Sequence, residues 1–148
     1  MRVNPIIAKY LGMAAIALAL NQSIAASASA DVVAVVAATS PITSLSKNAV
    51  ADIFLCKAIR FPDGRRAVPI DQEEGSLERD EFYARFAGKS PAQLKAHWSK
   101  IIFTGRGKPP LAVSNGLEAR KRVAENPEAI AYIDRSLLDS SVKVLRIE

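Results

Sequence analysis

The 148-residue sequence has one cysteine, one histidine and one tryptophan, and only 6% of its residues are aromatic. Cys56 alone cannot close an internal disulfide, and His97 with Cys56 cannot supply the ligand set of a His/Cys zinc centre. No motif supports a Cys56/His97 catalytic pair. Two patterns that catalysis would need are incomplete. Ser44-Leu45-Ser46-Lys47 matches Ser-x-x-Lys without the further motifs of penicillin-binding enzymes. Gly105-Arg106-Gly107-Lys108 lacks the spacing and hydroxyl of a phosphate-binding P-loop, and proline follows it. No repeat or low-complexity tract interrupts the chain. The 49% hydrophobic content is enough for one core at this length.

The first thirty residues lack any acid. They carry Arg2 and Lys9, then the apolar run Leu11 to Leu20, then the small-residue string Ala25 to Ala30. That order is the pattern of a cleavable secretory signal, with cleavage expected after Ala30. The apolar run is shorter than the roughly twenty residues of a spanning helix. Removing Arg2 and Lys9 leaves 18 basic against 15 acidic residues, so charge gives no argument for a nucleic-acid partner. The run Arg120-Lys121-Arg122, without interleaved aromatics, reads as a solvated helix face. An exported protein of this kind works in the cell envelope, where a lone thiol is safest buried. Cys56, directly after Ile53-Phe54-Leu55, is expected to be buried.

From Asp31 onward the chain alternates strand and helix signals. Asp31 to Ala38 is a β-branched apolar run without alternation, expected to be a central strand covered on both faces in a parallel or mixed sheet. Ser46 caps a helix from Lys47 to Leu55, and Pro62-Asp63-Gly64 is a turn. Ala67 to Asp71 is a second strand. Ser76 caps a helix from Leu77 to Phe86, with Phe82 and Phe86 on its buried side. Ser90-Pro91 starts a third helix, with Leu94 and Trp98 on its apolar stripe. The segment Gly105 to Pro110 cannot continue that helix. Asn115 and Glu118 have capping-box spacing for a helix to about Glu125. Ala129 to Ile133 and Val142 to Ile147 are the last strands. The expected fold is one α/β domain from Asp31 to Glu148, a mixed sheet flanked by helices.

Several of these segments, in this order, resemble a known family. They are Leu45-Ser46-Lys47, Ala51 to Lys57, Pro62-Asp63-Gly64, Phe82-Tyr83, Gly88 to Pro91, Trp98, Ile102 to Gly107 and Ala129 to Ile133. Together they look like the short phosphate-transporter-type substrate-binding proteins of the type 2 periplasmic-binding-protein superfamily. The resemblance implies a periplasmic location, capture of a small anion such as phosphate without catalysis, no cofactor, and a membrane ABC transporter as partner. Full-length members have two lobes and about twice this length, so the 118 residues from Asp31 correspond to a single lobe. Members carry an Arg-x-Asp-x-Ser-Gly-Thr-like segment after the second strand, where this chain has Asp71 to Leu77. They also have glycine where Cys56 stands. The alternative is an envelope interaction or sensory module that keeps the fold without a ligand.

An oxyanion is best held by backbone N–H groups at helix starts, by hydroxyls and by arginine. Three segments offer such donors: Thr39-Ser40 after the first strand, Gly75-Ser76 before a helix, and Thr104, Gly105, Arg106 and Gly107. The expected ligand-binding set therefore converges on one hollow at strand ends. Each segment also has a plain structural reading as turn, cap or loop. Asp71, Glu73 and Glu74 would repel a phosphate dianion if they faced that hollow, a repulsion of about 1 kcal/mol at ~4 Å even in water. Asp71 could instead pair with Arg106 and orient it. His97 reads as an ordinary helix residue.

Overall fold

The computed structural model describes residues 29–148, so nearly all of the expected signal segment lies outside the described residues. Seven strands and four helices follow in the order β1 (Val32–Ala37), β2 (Ser44–Leu45), α1 (Lys47–Phe54), β3 (Val68–Gln72), α2 (Leu77–Ala87), α3 (Pro91–Phe103), β4 (Leu111–Val113), α4 (Gly116–Ala124), β5 (Ala129–Asp134), β6 (Val142–Val144) and β7 (Arg146–Ile147). A 3-10 turn, Arg135–Leu137, links β5 to β6.

The main sheet has the order β4-β3-β5-β1-β6, and β2 pairs with β7 in a small second sheet. Strands β3, β4 and β5 are mutually parallel, while β1 runs antiparallel to both β5 and β6. The sheet is thus mixed, with β1 as its one reversed strand. All six β1 residues are buried, and alternation along it divides the core. Val32, Ala34 and Val36 face a cluster built with residues of α1, α2 and α3, including Phe54, Phe82 and Trp98. Val33 and Val35 face a second cluster with Ala119 and Val123 of α4. A strand with both faces covered shows no polar alternation, which accounts for its sequence.

Helix starts follow their caps. Ser46 accepts from the Ala49 amide at 3.1 Å, and Ser76 from the Arg79 amide at 3.3 Å. At α3 the cap is a complete box: Ser90 accepts from the Gln93 amide at 3.2 Å and the Gln93 side chain accepts from the Ser90 amide at 2.9 Å. At α4 only half of the expected box forms. Asn115 accepts from the Glu118 amide at 3.0 Å, but the Glu118 carboxylate turns to Arg122, four residues on, at 3.0 Å, because an opposite charge one helical turn away competes for it.

Four expectations are corrected. The first strand is not the centre of the sheet; β5 is, because β1 takes β6 as its second neighbour. The expected strand Val142 to Ile147 is two, broken at Leu145, whose amide donates to Ala34 O at 2.9 Å. β4 follows two prolines between α3 and α4, where no strand was expected, and it is held by its ladder to β3. Cys56 is half-buried rather than buried. It follows the end of α1 with φ 57°, and its thiol donates to Lys108 O at 3.1 Å. Burial pushes its pKa up.

Candidate functional site

The parallel strands β3, β4 and β5 end on one edge of the sheet, and the chain leaves β3 there through Glu73-Glu74-Gly75-Ser76 into α2. Gly75 has φ 93°, a conformation glycine adopts at little cost. It lets the chain turn within four residues. Among the described residues, the amides of Glu74, Gly75, Leu77 and Glu78 have no protein acceptor. These N–H groups stand at the positive end of the α2 dipole, the arrangement that suits an anion.

Beneath this turn lies a buried polar network. Asp71, 3% exposed, accepts from the Tyr83 hydroxyl at 2.7 Å, from the Tyr132 hydroxyl and from the Gln72 amide at 2.8 Å. Arg79 Nε stands 3.6 Å from Asp71 Oδ1, and its guanidinium lies 5.4 Å from the centre of the Tyr83 ring. Burial raises the pKa of both tyrosines, the Asp71 charge adds to the rise, and so does each hydrogen bond to Asp71. Asp71 is therefore consumed inside the protein and does not face a ligand. Its charge partner is Arg79, not Arg106; α2 brings Arg79 back over the end of β3, while Arg106 stands on an exposed loop after α3.

Neighbouring side chains are also committed. The Ser76 hydroxyl donates to Gln72 Oε1 at 2.9 Å while capping α2, so its own proton is in use. Gln72 Nε2 donates to Glu78 and to Tyr132 O. Glu73 and Glu74 are exposed, Glu74 on the lining of a cavity shared with Arg79.

The three expected donor segments do not all converge. β1 is antiparallel to β5, and β5 is parallel to β3, so Thr39 and Ser40 leave the sheet at the edge opposite to Gly75 and Ser76. Thr39 is exposed there. Ser40 is buried, its hydroxyl accepting from the Ile42 amide at 3.3 Å and its carbonyl accepting from Lys143. The segment Thr104 to Gly107 lies nearer, since Ile102 before it and Pro109 after it line the cavity with Glu74 and Arg79. It forms the C-terminus of α3, however. The Gly105 amide donates to Ile102 O at 3.1 Å and the Arg106 amide to Ile101 O at 3.2 Å, a Schellman ending with Gly105 at φ 66°. The Thr104 hydroxyl donates back to Lys100 O at 2.7 Å. The amides of Thr104, Gly105 and Arg106 satisfy helix carbonyls, and among the described residues the Gly107 amide and the exposed Arg106 guanidinium remain as donors this loop can offer an anion. The free amides of Leu77 and Glu78 lie beyond the expected set. They were legible as the first turn after the Ser76 cap.

His97 Nε2 lies 3.0 Å from Leu55 O, tying α3 to the end of α1. Among the described residues no group of three acidic, histidine or cysteine side chains could hold a metal ion, and no helix is long and apolar enough to cross a membrane.

No protein-family model and no curated protein matches the chain. Solved structures do. One, assigned as a phosphate ABC transporter substrate-binding protein from Clostridium perfringens with bound phosphate, superposes with a TM-score of 0.63 at 20% identity, over 80% of this chain and 45% of that one. An ABC-type phosphate transport receptor from Vibrio cholerae gives 0.63 at 17% identity, over 80% and 46%. PstS from Borrelia burgdorferi gives 0.61 at 10% identity, over 80% and 47%. The chain has the PstS-like fold. It spans less than half the length of each of these structures. Within this PstS-like unit, the edge where β3 gives way to α2 carries the free amides, and the opposite edge carries Thr39 and Ser40.

Proposed function

We propose that residues Asp31 to Glu148 form a solute-binding domain, exported behind the signal segment Met1 to Ala30, that captures a small anion such as phosphate in the periplasm for an ABC-type membrane transporter, without catalysis. The observation that carries this reading is the row of unpartnered N–H groups on Glu74, Gly75, Leu77 and Glu78 at the end of β3. The likeness of fold to phosphate-transport proteins supports it.

The anion sits over the Gly75-Ser76 turn. Amides of the first turn of α2 donate to it, and Ser76 holds the helix start in place. Arg106, exposed on the loop after α3, supplies the positive charge from the side. Gly105 and Gly107 give that loop its course. Thr39 and Ser40, on the other edge, take no part.

Isothermal calorimetry of residues 31–148 with inorganic phosphate and sulfate tests the reading. Saturable heat at millimolar anion or below is expected, and its absence with both anions overturns it. Arg106→Ala weakens the binding by about 1.5–3 kcal/mol, the range of a charge-assisted contact.

A further inference from the structure

Between α2 and α3, beside the Gly75-Ser76 turn, lies a cavity of about 250 Å³. Its lining divides by chemistry. Arg79 and Lys95 bring positive charge, Glu74 stands on the rim, and Trp98, Ile102 and Pro109 form apolar wall. The Arg79 side chain is only 12% exposed, and its buried Nε has no hydrogen-bond partner among the described residues, while Lys95 is exposed at the cavity wall. A nearly buried guanidinium with an unpartnered nitrogen, on the wall of a cavity that a lysine also lines, is arranged to receive an anion.

Charge and size limit what that anion is. Two cations and one acid give the lining one net positive charge, and Asp71 behind Arg79 at 3.6 Å draws on the same guanidinium. With Asp71 counted, the two cations already face two acids, so a single negative charge held directly by Arg79 and Lys95 is the most the site accepts, and a dianion would meet Glu74 and Asp71 as added repulsion. At the ~30 Å³ that a water molecule occupies, the space holds about eight waters, more than a bare oxyanion fills. A tetrahedral ion bound at Arg79 would leave the Trp98 and Ile102 walls wet, whereas an apolar body would cover them. Trp98 is 7% exposed and lines this cavity.

We propose that the α2–α3 cavity binds a small organic carboxylate of single negative charge, its carboxylate between Arg79 and Lys95 and its apolar body against Trp98 and Ile102. This site is distinct from the amides at Gly75 and stands whether or not phosphate binds there.

Trp98 is the sole tryptophan, so its fluorescence reads this cavity directly. The purified protein is titrated with sodium benzoate, benzyl alcohol, benzylamine and inorganic phosphate. Benzoate is expected to give a saturable change in Trp98 emission, with the alcohol at least tenfold weaker and the amine inactive. Lys95→Met weakens benzoate at least fivefold, and Thr39→Ala, at the opposite end of the sheet, leaves it unchanged. Phosphate does not displace benzoate, and its calorimetric heat survives in Lys95→Met. The proposal is overturned by a flat benzoate titration, by equal responses to benzoate and benzylamine, by an unaffected Lys95→Met variant, or by competition from phosphate at the Trp98 signal. Loss of phosphate heat alone strikes the preceding reading and leaves this one intact.

Discussion

Asp71 shows how a side chain with a functional look becomes structural. An acid at the end of a strand beside a proposed anion site suggests repulsion, yet Tyr83 and Tyr132 enclose it and Arg79 stands against it. Replacing it by asparagine removes the charge that Arg79 and both hydroxyls address, and should cost about 2–3 kcal/mol of stability in urea unfolding. The tyrosines add a pH dependence. Their folded pKa values lie above the ordinary 10.0, so above that pH the unfolded chain releases protons that the folded protein holds. Melting temperature should be level through neutral pH and fall as pH rises past about 10. A flat profile into strong alkali would contradict the enclosure of these hydroxyls. Cys56 is the other residue that the fold explains. Its φ of 57° at the end of α1 is a conformation that glycine accepts and β-branched residues resist. Cys56→Gly should match or exceed the wild type in thermal melts, while Cys56→Val should lose about 1–2 kcal/mol.

At the scale of elements, local chemistry determined where helices begin. Ser46, Ser76 and Ser90 each accept from an amide three residues on, and the sequence showed all three. Ser90→Ala opens a complete capping box at α3 and should cost about 1 kcal/mol in equilibrium unfolding. The same local rules did not show that the amides of Thr104, Gly105 and Arg106 close the end of α3. Glycine, hydroxyl and arginine suit an oxyanion, but they suit a helix C-terminus equally, and the Schellman bonds use the amides. Strands β2, β4 and β7 are two or three residues long, too short for any periodicity. They exist because a partner strand lies alongside.

For the molecule as a whole, a three-layer arrangement rests on one aromatic cluster between the sheet and helices α1 to α3. Phe82 stacks on Tyr132 at 4.1 Å between ring centres and meets Phe54 at 4.7 Å. Phe82 is fully buried, so Phe82→Ala should cost about 3–5 kcal/mol and leave a marginal domain, seen as loss of a cooperative melt at 37 °C. The chain spans less than half of the structures it resembles, and the edge that carries the free amides also bears the exposed side chains of Leu77 and Leu117. The sequence by itself determined the buried strand β1, the capped helices and the class of fold, because burial and capping act over a few neighbouring residues. Only the tertiary structure decided the reversed direction of β1, which parts Thr39 and Ser40 from Ser76, and the pairing of Asp71 with Arg79 instead of Arg106. Strand direction and long-range pairing depend on which distant segments meet, and no short stretch of sequence carries that information.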